Sequence, residues 1–453
     1  MKSKQLTKFE KYLLYVFFFE LFAGGGGRIL AVGPISIRQL LFVGILAIFS
    51  IRFIVNRETR KELISYFVKP FSGISLVSIL MVLWIGISSI IGIINHHPVG
   101  AVLTDTLRVV FVITIVPLAY YIGKNRFTKE DLLKTLLIAS LATSILTIVI
   151  SLIGKTMNGH DFYYFYKFIN QAFPGDLFFR PSRGVFYKSH FLVLFALIIC
   201  FINLIEKKSS RLQNVTIILS VVSIVLSETR GLYIGFAVGL LTYILVKVII
   251  YFFGQSGKTT ITRRTMIRQI VLLIVAFAFT GYFFENSTIS RFSDQDDFQT
   301  EDNGSRGEQE GTKVNDVSMN VRLDLLKDSV NLVEKSKLAL LIGNGYGTKI
   351  GKRTTGIEMT FVDILVEQGV IGALIWLMFS LLPLYYYFRG FLLSRYIGIL
   401  DIGLLGSSLA MIVVTNINPF LNSPIGLGFL IPVIVISFKS FRSYQSAVLE
   451  ETD

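Results

Sequence analysis

Apolar residues run along this chain in blocks, and the charged residues gather between them. The blocks fall near 11–26, 35–55, 73–94, 103–122, 131–153, 186–205, 213–229, 231–253, 269–285, 359–388, 397–415 and 424–438. Each is close to the length that a hydrocarbon core about 30 Å thick asks of a helix. A bilayer interior offers no water to a bare peptide group, so a spanning segment must close its own hydrogen bonds. The pattern therefore predicts an all-α polytopic membrane protein with about 12 transmembrane helices.

The connections alternate in charge. Lys2, Lys4, Lys8 and Lys11 open the chain, and Arg52, Arg57, Arg60 and Lys61 follow the second block. Later basic connections hold Lys124, Arg126 and Lys129; Lys207, Lys208 and Arg211; and Lys258, Arg263, Arg264 and Arg268. The last two hold Arg389 and Arg395, then Lys439 and Arg442. Lysine and arginine collect in cytoplasmic loops, so every second loop and both termini are expected in the cytoplasm.

Two of the opposite loops are long. The first, 154–185, carries Phe162, Tyr163, Tyr164, Phe165 and Tyr166, which suit either sugar stacking or an interfacial belt. The second spans 286–356. Its stretch from Asp294 to Asp316 is acidic and poor in apolar residues and is expected to be mobile. From Met319 to Lys337, Leu326, Val330 and Val333 recur at helical spacing, which predicts an amphipathic helix on the outer membrane surface. Gly343, Gly345 and Gly347 should end it. The chain thus divides into an N-terminal bundle of about nine spans at 1–285, a large outer loop at 286–356, and C-terminal spans with a tail at 357–453.

Composition agrees: 53% of residues are hydrophobic and 16% charged. A net charge of +14 would suggest a nucleic-acid partner in a soluble protein, but the basic inner loops account for it here. Cys200 is the single cysteine, so no disulfide can form within the chain, and four histidines with one cysteine make a metal cluster unexpected. No cofactor is expected. The first block lacks a small-residue cleavage site, so no cleavable signal is expected. Gly254-Gln-Ser-Gly-Lys-Thr259 echoes a nucleotide loop but lacks its preceding strand.

The outward arginines carry the functional signal. Arg180 and Arg183 lie in Arg-Pro-Ser-Arg-Gly, Arg230 lies in Ser227-Glu-Thr-Arg-Gly231, and Arg322 opens the loop helix. The charge bias disfavours arginine on this side, and its planar fork of donors matches phosphate. Snorkelling or pairing with a carboxylate is the structural alternative for each. Glu358 stands where a later span begins and suits either a general base or a helix N-terminal charge. Glu367 lies deeper and reads as the partner of a cation. Asp105 and Arg108 read as a local ion pair. His190 is a minor ligand candidate.

Together these segments resemble the O-antigen ligase / Wzy polymerase superfamily. Arg180-Pro-Ser-Arg-Gly-Val-Phe is similar to its Arg-x-x-Gly-x-Phe segment, and Ser227-Glu-Thr-Arg-Gly231 to its Ser-x-Ser/Thr-Arg-Gly motif. Arg322 leading to Ile342-Gly-Asn-Gly-Tyr-Gly347, and Glu367-Gln-Gly369 followed by Gly372, are similar to two further motifs. The ligases carry a His-Asn pair nine residues before that glutamate; this chain has Glu358-Met359, which favours polymerase over ligase. The resemblance implies a GT-C-like fold and a metal-independent, inverting glycosyltransferase in a bacterial inner (plasma) membrane, working on the extracytoplasmic side. The donor would be an oligosaccharide on undecaprenyl pyrophosphate, with membrane lipid, a chain-length regulator and a flippase as partners. Glu358, Arg230 and Arg322 would be catalytic. Arg180, Arg183, Tyr187, His190, Gly345 and Tyr346 would bind substrate. The rival readings are a ligase and a lipid-linked sugar transporter; the latter calls for charge buried within spans and repeat symmetry. An alkaline phosphatase reporter fused after Met157 should be active, and one fused after Lys208 inactive. The reverse result would invert the topology.

Overall fold

The computed structural model describes residues 6–27, 31–32, 35–68, 72–254, 263–293, 317–351, 353, 357 and 359–452. Helix makes up 80% of the described residues. The order is α1 (Lys8–Ala23), a short hairpin of β1 (Ala31–Val32) and β2 (Ile35–Ser36), α2 (Ile37–Val55), α3 (Arg57–Phe67) and α4 (Gly73–Ile94). Next come α5 (Val99–Val109), a 3₁₀ turn at Val110–Thr114, α6 (Ile115–Tyr121), α7 (Lys129–Thr156) and α8 (Gly159–Ala172). The antiparallel pair β3 (Leu177–Phe179) and β4 (Val185–Tyr187) leads to α9 (His190–Ile205), α10 (Arg211–Ser227), α11 (Arg230–Phe253) and α12 (Arg263–Ser293). The chain closes with α13 (Val317–Glu334), α14 (Lys337–Ile342), α15 (Thr360–Ser394), α16 (Ile399–Val414) and α17 (Pro424–Thr452).

Every apolar block falls on helix, and eight segments among the described residues are long and apolar enough to cross a membrane. Helices α9, α10 and α16 are apolar but shorter. The all-α polytopic class therefore stands. Several starts are fixed by reciprocal caps: Thr7 with Glu10, Ser36 with Gln39, Thr128 with Asp131, and Ser210 with Gln213. In each, both side chains satisfy amides that the first turn leaves bare.

Helices α9, α16 and α17 form the centre. Small residues let their neighbours close in: a Cβ on Gly235 of α11 would lie 2.6 Å from Val414, and one on Gly239 2.8 Å from Ile198. Such close approach supplies the packing that hydrocarbon cannot drive.

Two connections hold helices where the hydropathy pattern shows loops. The basic connection after α2 folds as α3, which buries Thr59 and Leu63 and fixes Glu62 to Arg126 at 2.6 Å. The aromatic loop folds partly as α8, leaving Tyr163, Tyr164 and Phe168 exposed. A short amphipathic helix lying along a surface leaves no apolar block to read. The helix expected from Met319 is α13. Its inner face is Leu325, Ser329 and Val333, while Leu326 and Val330 stay exposed. The expected mobility of Asp294 to Asp316 lies outside the described residues.

Helix α15 is broken at Gly369, whose φ of 67° and ψ of −174° are open only to glycine. The break frees carbonyls, and neighbours take them. Asn344 N–H donates to Val366 O at 2.9 Å, Gly345 N–H to Glu367 O at 2.8 Å, and Trp84 Nε1–H to Gln368 O at 3.0 Å. A Cβ on Gly369 would sit 2.3 Å from Leu341 O. Gly369→Ala should destabilise the protein by about 3 kcal/mol or more, from strained backbone plus an overpacked contact. Thermal unfolding in detergent measures it; a variant melting with the wild type would remove this role from the glycine.

Candidate active site

The loop after α14 is clamped between α4 and α15. Gly345 has φ +87°, and a Cβ there would lie 2.2 Å from Gly92 N, so only glycine allows this contact. Tyr346 N–H donates to Ser88 O at 3.0 Å, and His97 Nδ1 meets Tyr346 O at 2.8 Å. Gly345 and Tyr346 are both buried. Burial and the nearby Glu367 hold the Tyr346 phenol well above its ordinary pKa, so it keeps its proton.

Arg108 organises the ground beneath this loop. Its Nη2 lies 3.5 Å from Asp105 Oδ1 and 3.4 Å from Asp363 Oδ2. Asp105 Oδ2 accepts from Gly347 N–H at 3.1 Å. Asp363 accepts from Ile357 N–H at 3.2 Å and from Asn422 Nδ2–H at 3.1 Å. Glu367, 1% exposed, adjoins the Asp105 carboxyl. The expected local pair of Asp105 and Arg108 is thus one side of a cluster that ties α5, α15 and two loops together. Buried charge is present, as a transporter would need, yet beyond Arg108 the partners of Asp105 and Asp363 include loop groups at Gly347, Ile357 and Asn422.

The segment between α8 and α9 is held by the arginines predicted to bind substrate. Arg180 Nε–H donates to Ser227 O at 3.0 Å and Nη2–H to Thr229 Oγ1 at 2.8 Å. Arg183 Nη1–H donates to Gly154 O at 3.0 Å, and its guanidinium covers Phe162 at 4.5 Å. Arg183 therefore closes the C-terminal end of α7. Tyr187 O–H donates to Ala23 O at 2.9 Å. His190 is fully buried, with Nε2 2.8 Å from Ser223 Oγ and Nδ1 2.9 Å from Tyr187 O. Arg180 reaches the α10–α11 junction; Arg183, Tyr187 and His190 bind scaffold atoms.

Arg230 is the first residue of α11 and is half-buried. Beside it, a Cβ on Gly231 would lie 3.2 Å from Ile417. Arg322 Nη2–H donates to Ile417 O at 3.2 Å. The start of α15 joins the same loop: Thr360 N–H donates to Thr415 O at 3.3 Å, and the two hydroxyls meet at 2.8 Å. Residues far apart in sequence, 231, 322 and 360, therefore converge on the α16–α17 loop. Sequence reading did not single out this loop. Its signal was Asn418-Pro-Phe-Leu-Asn-Ser-Pro424, a polar, proline-bounded stretch between two apolar blocks. Glu358 lies outside the described residues, between Ile357, bonded to Asp363, and Met359, which precedes α15.

Removing the Arg108 cation would leave Asp105 and Asp363 buried without a counter-ion. Arg108→Gln should cost about 3–5 kcal/mol. Thermal unfolding checks this, and an unchanged midpoint would show that the carboxyls do not depend on it.

No curated protein matches the chain. Residues 215–377 match the family model described as O-antigen ligase. Members of that family are glycosyltransferase-like enzymes of envelope glycan synthesis. The matched segment runs from α10 to within α15 and carries both Arg230 and Arg322, so over this stretch the multi-pass membrane protein is similar to the O-antigen ligase family.

Proposed function

We propose that the protein is a polysaccharide polymerase. It transfers a glycan from undecaprenyl pyrophosphate to a hydroxyl of a second lipid-linked repeat unit, on the extracytoplasmic side. The observation that carries this reading is the meeting of α11's first turn and Arg322 at Ile417. The Arg322 guanidinium at this loop, with the helix turn that begins at Arg230 packed against it, suits a leaving group on which negative charge grows. Arg180 stands at the same junction through Thr229 and would help hold the pyrophosphate.

Glu358 takes the proton of the acceptor hydroxyl as the glycosidic bond forms. The C–O bond to the pyrophosphate breaks in the same step, and inversion follows from attack on the opposite face. Arginine and carboxylate chemistry suffices for these roles, so no metal is invoked. The glutamate at 358, where the ligases have histidine, favours the polymerase over the ligase.

Purified protein given undecaprenyl-pyrophosphate repeat units, without metal or nucleotide, should yield a ladder of glycan lengths. Arg230→Ala and Arg322→Ala should each lower turnover about 10²–10³-fold, as for a lost transition-state donor. Glu358→Gln should lower it about 10²–10⁴-fold. A folded wild type that moves the lipid across liposomes without consuming it would sink the enzyme reading. A single glycan transfer onto a different acceptor, with no ladder, would make it a ligase.

A further inference from the structure

A cavity of about 770 Å³ opens beside the same α16–α17 loop, walled there by Pro419 and Phe420. Its size is that of a small-molecule site. Three cations from separate parts of the chain line it: Arg38, Arg108 and Lys188. None of its described lining residues is acidic.

The carboxylates that steady these cations stand behind the wall. Glu20 holds Arg38 at 2.8 Å, Asp176 holds Lys188 at 2.9 Å, and Asp105 and Asp363 hold Arg108. None of those four acids lines the cavity. Two helix starts open onto it as well, α2 at Ser36 and α17 at Ser423 and Pro424. Amides of a helix N-terminus carry partial positive charge and favour an anion. Phe42, Leu107 and Phe111 supply an apolar remainder to the wall. Cations in front, acids behind and helix starts beside them describe an anion site with a greasy flank.

We propose that this cavity binds the pyrophosphate headgroup of the acceptor, the second lipid-linked glycan. The proposal rests on the polymerase reading and gives that reading its other substrate. The α16–α17 loop then divides two headgroup sites, with Arg230 and Arg322 at the donor side and Arg38, Arg108 and Lys188 at the acceptor side. A transferase whose two substrates carry the same lipid needs such a partition, because one site cannot hold both.

The test uses full-length Arg230→Ala/Arg322→Ala protein in nanodiscs, with the donor arginines removed, titrated with undecaprenyl pyrophosphate. Binding should persist there. Adding Lys188→Glu, or Thr104→Trp to fill the cavity without touching any ion pair, should weaken it about tenfold or more. Thr104 lines the cavity and is exposed, so its replacement leaves the core packing alone. Inorganic pyrophosphate should displace the lipid. Unchanged affinity in both added variants would overturn the proposal. So would displacement by undecaprenol but not by pyrophosphate, since the cavity would then read only the chain. Failure of the polymerase reading shows elsewhere, in a wild type that does not consume donor.

Discussion

The arrangement of the loops around α15 depends on Arg108. A guanidinium among buried carboxyls is costly to place and costlier to remove, because each partner left behind would be an isolated charge in a low-dielectric setting. Asp105 and Asp363 use that dependence to hold other things. Through them the cation reaches Gly347 and Ile357 in the α14–α15 connection and Asn422 in the α16–α17 loop. The chain on either side of position 358 and the loop that meets Arg322 are therefore located by one charge on α5. Arg108 also faces the cavity, so the ground that sets the loops is part of the wall of the proposed acceptor site.

The helices beneath the loops leave them little freedom. Gly235 and Gly239 let α11 lie against α16 and α9, which fixes where Arg230 emerges. The Thr360–Thr415 hydroxyl contact ties the start of α15 to the same short loop. Arg180 and Arg183, both at the hairpin before α9, divide their work: one reaches the α10–α11 junction, the other ends α7. A substrate role for Arg183, Tyr187 or His190 would have to be exercised through the scaffold atoms they bind.

Much of this was legible in the sequence because a bilayer imposes it. Long apolar blocks had to be helices, and the twelve blocks fall on helices. The loop helix after Met319 was legible from its spacing, although Leu325 and Ser329, not Leu326 and Val330, face inward. Helices α3 and α8 were missed because they span nothing. The site was legible only in part. Arg230 and Arg322 stood out because arginine is unusual in a connection expected on the outer side, but Ile417, which meets Arg322 and Gly231, looks like any apolar residue. Arg38 and Lys188 carried no signal at all, since their meaning comes from Glu20, Asp176 and a cavity that exists only once distant helices pack.

The break at Gly369 has a consequence for how the protein assembles. In hydrocarbon, a carbonyl without a donor costs several kcal/mol. The break leaves Val366, Glu367 and Gln368 needing donors, and Asn344, Gly345 and Trp84 supply them. A loop docked one residue out of register would lose the two donors it supplies, Asn344 to Val366 and Gly345 to Glu367. The faulty helix thus acts as a proofreader: the loop between α13 and α15 seats in its correct frame or loses those bonds, and Arg322 at its head is delivered only in the first case.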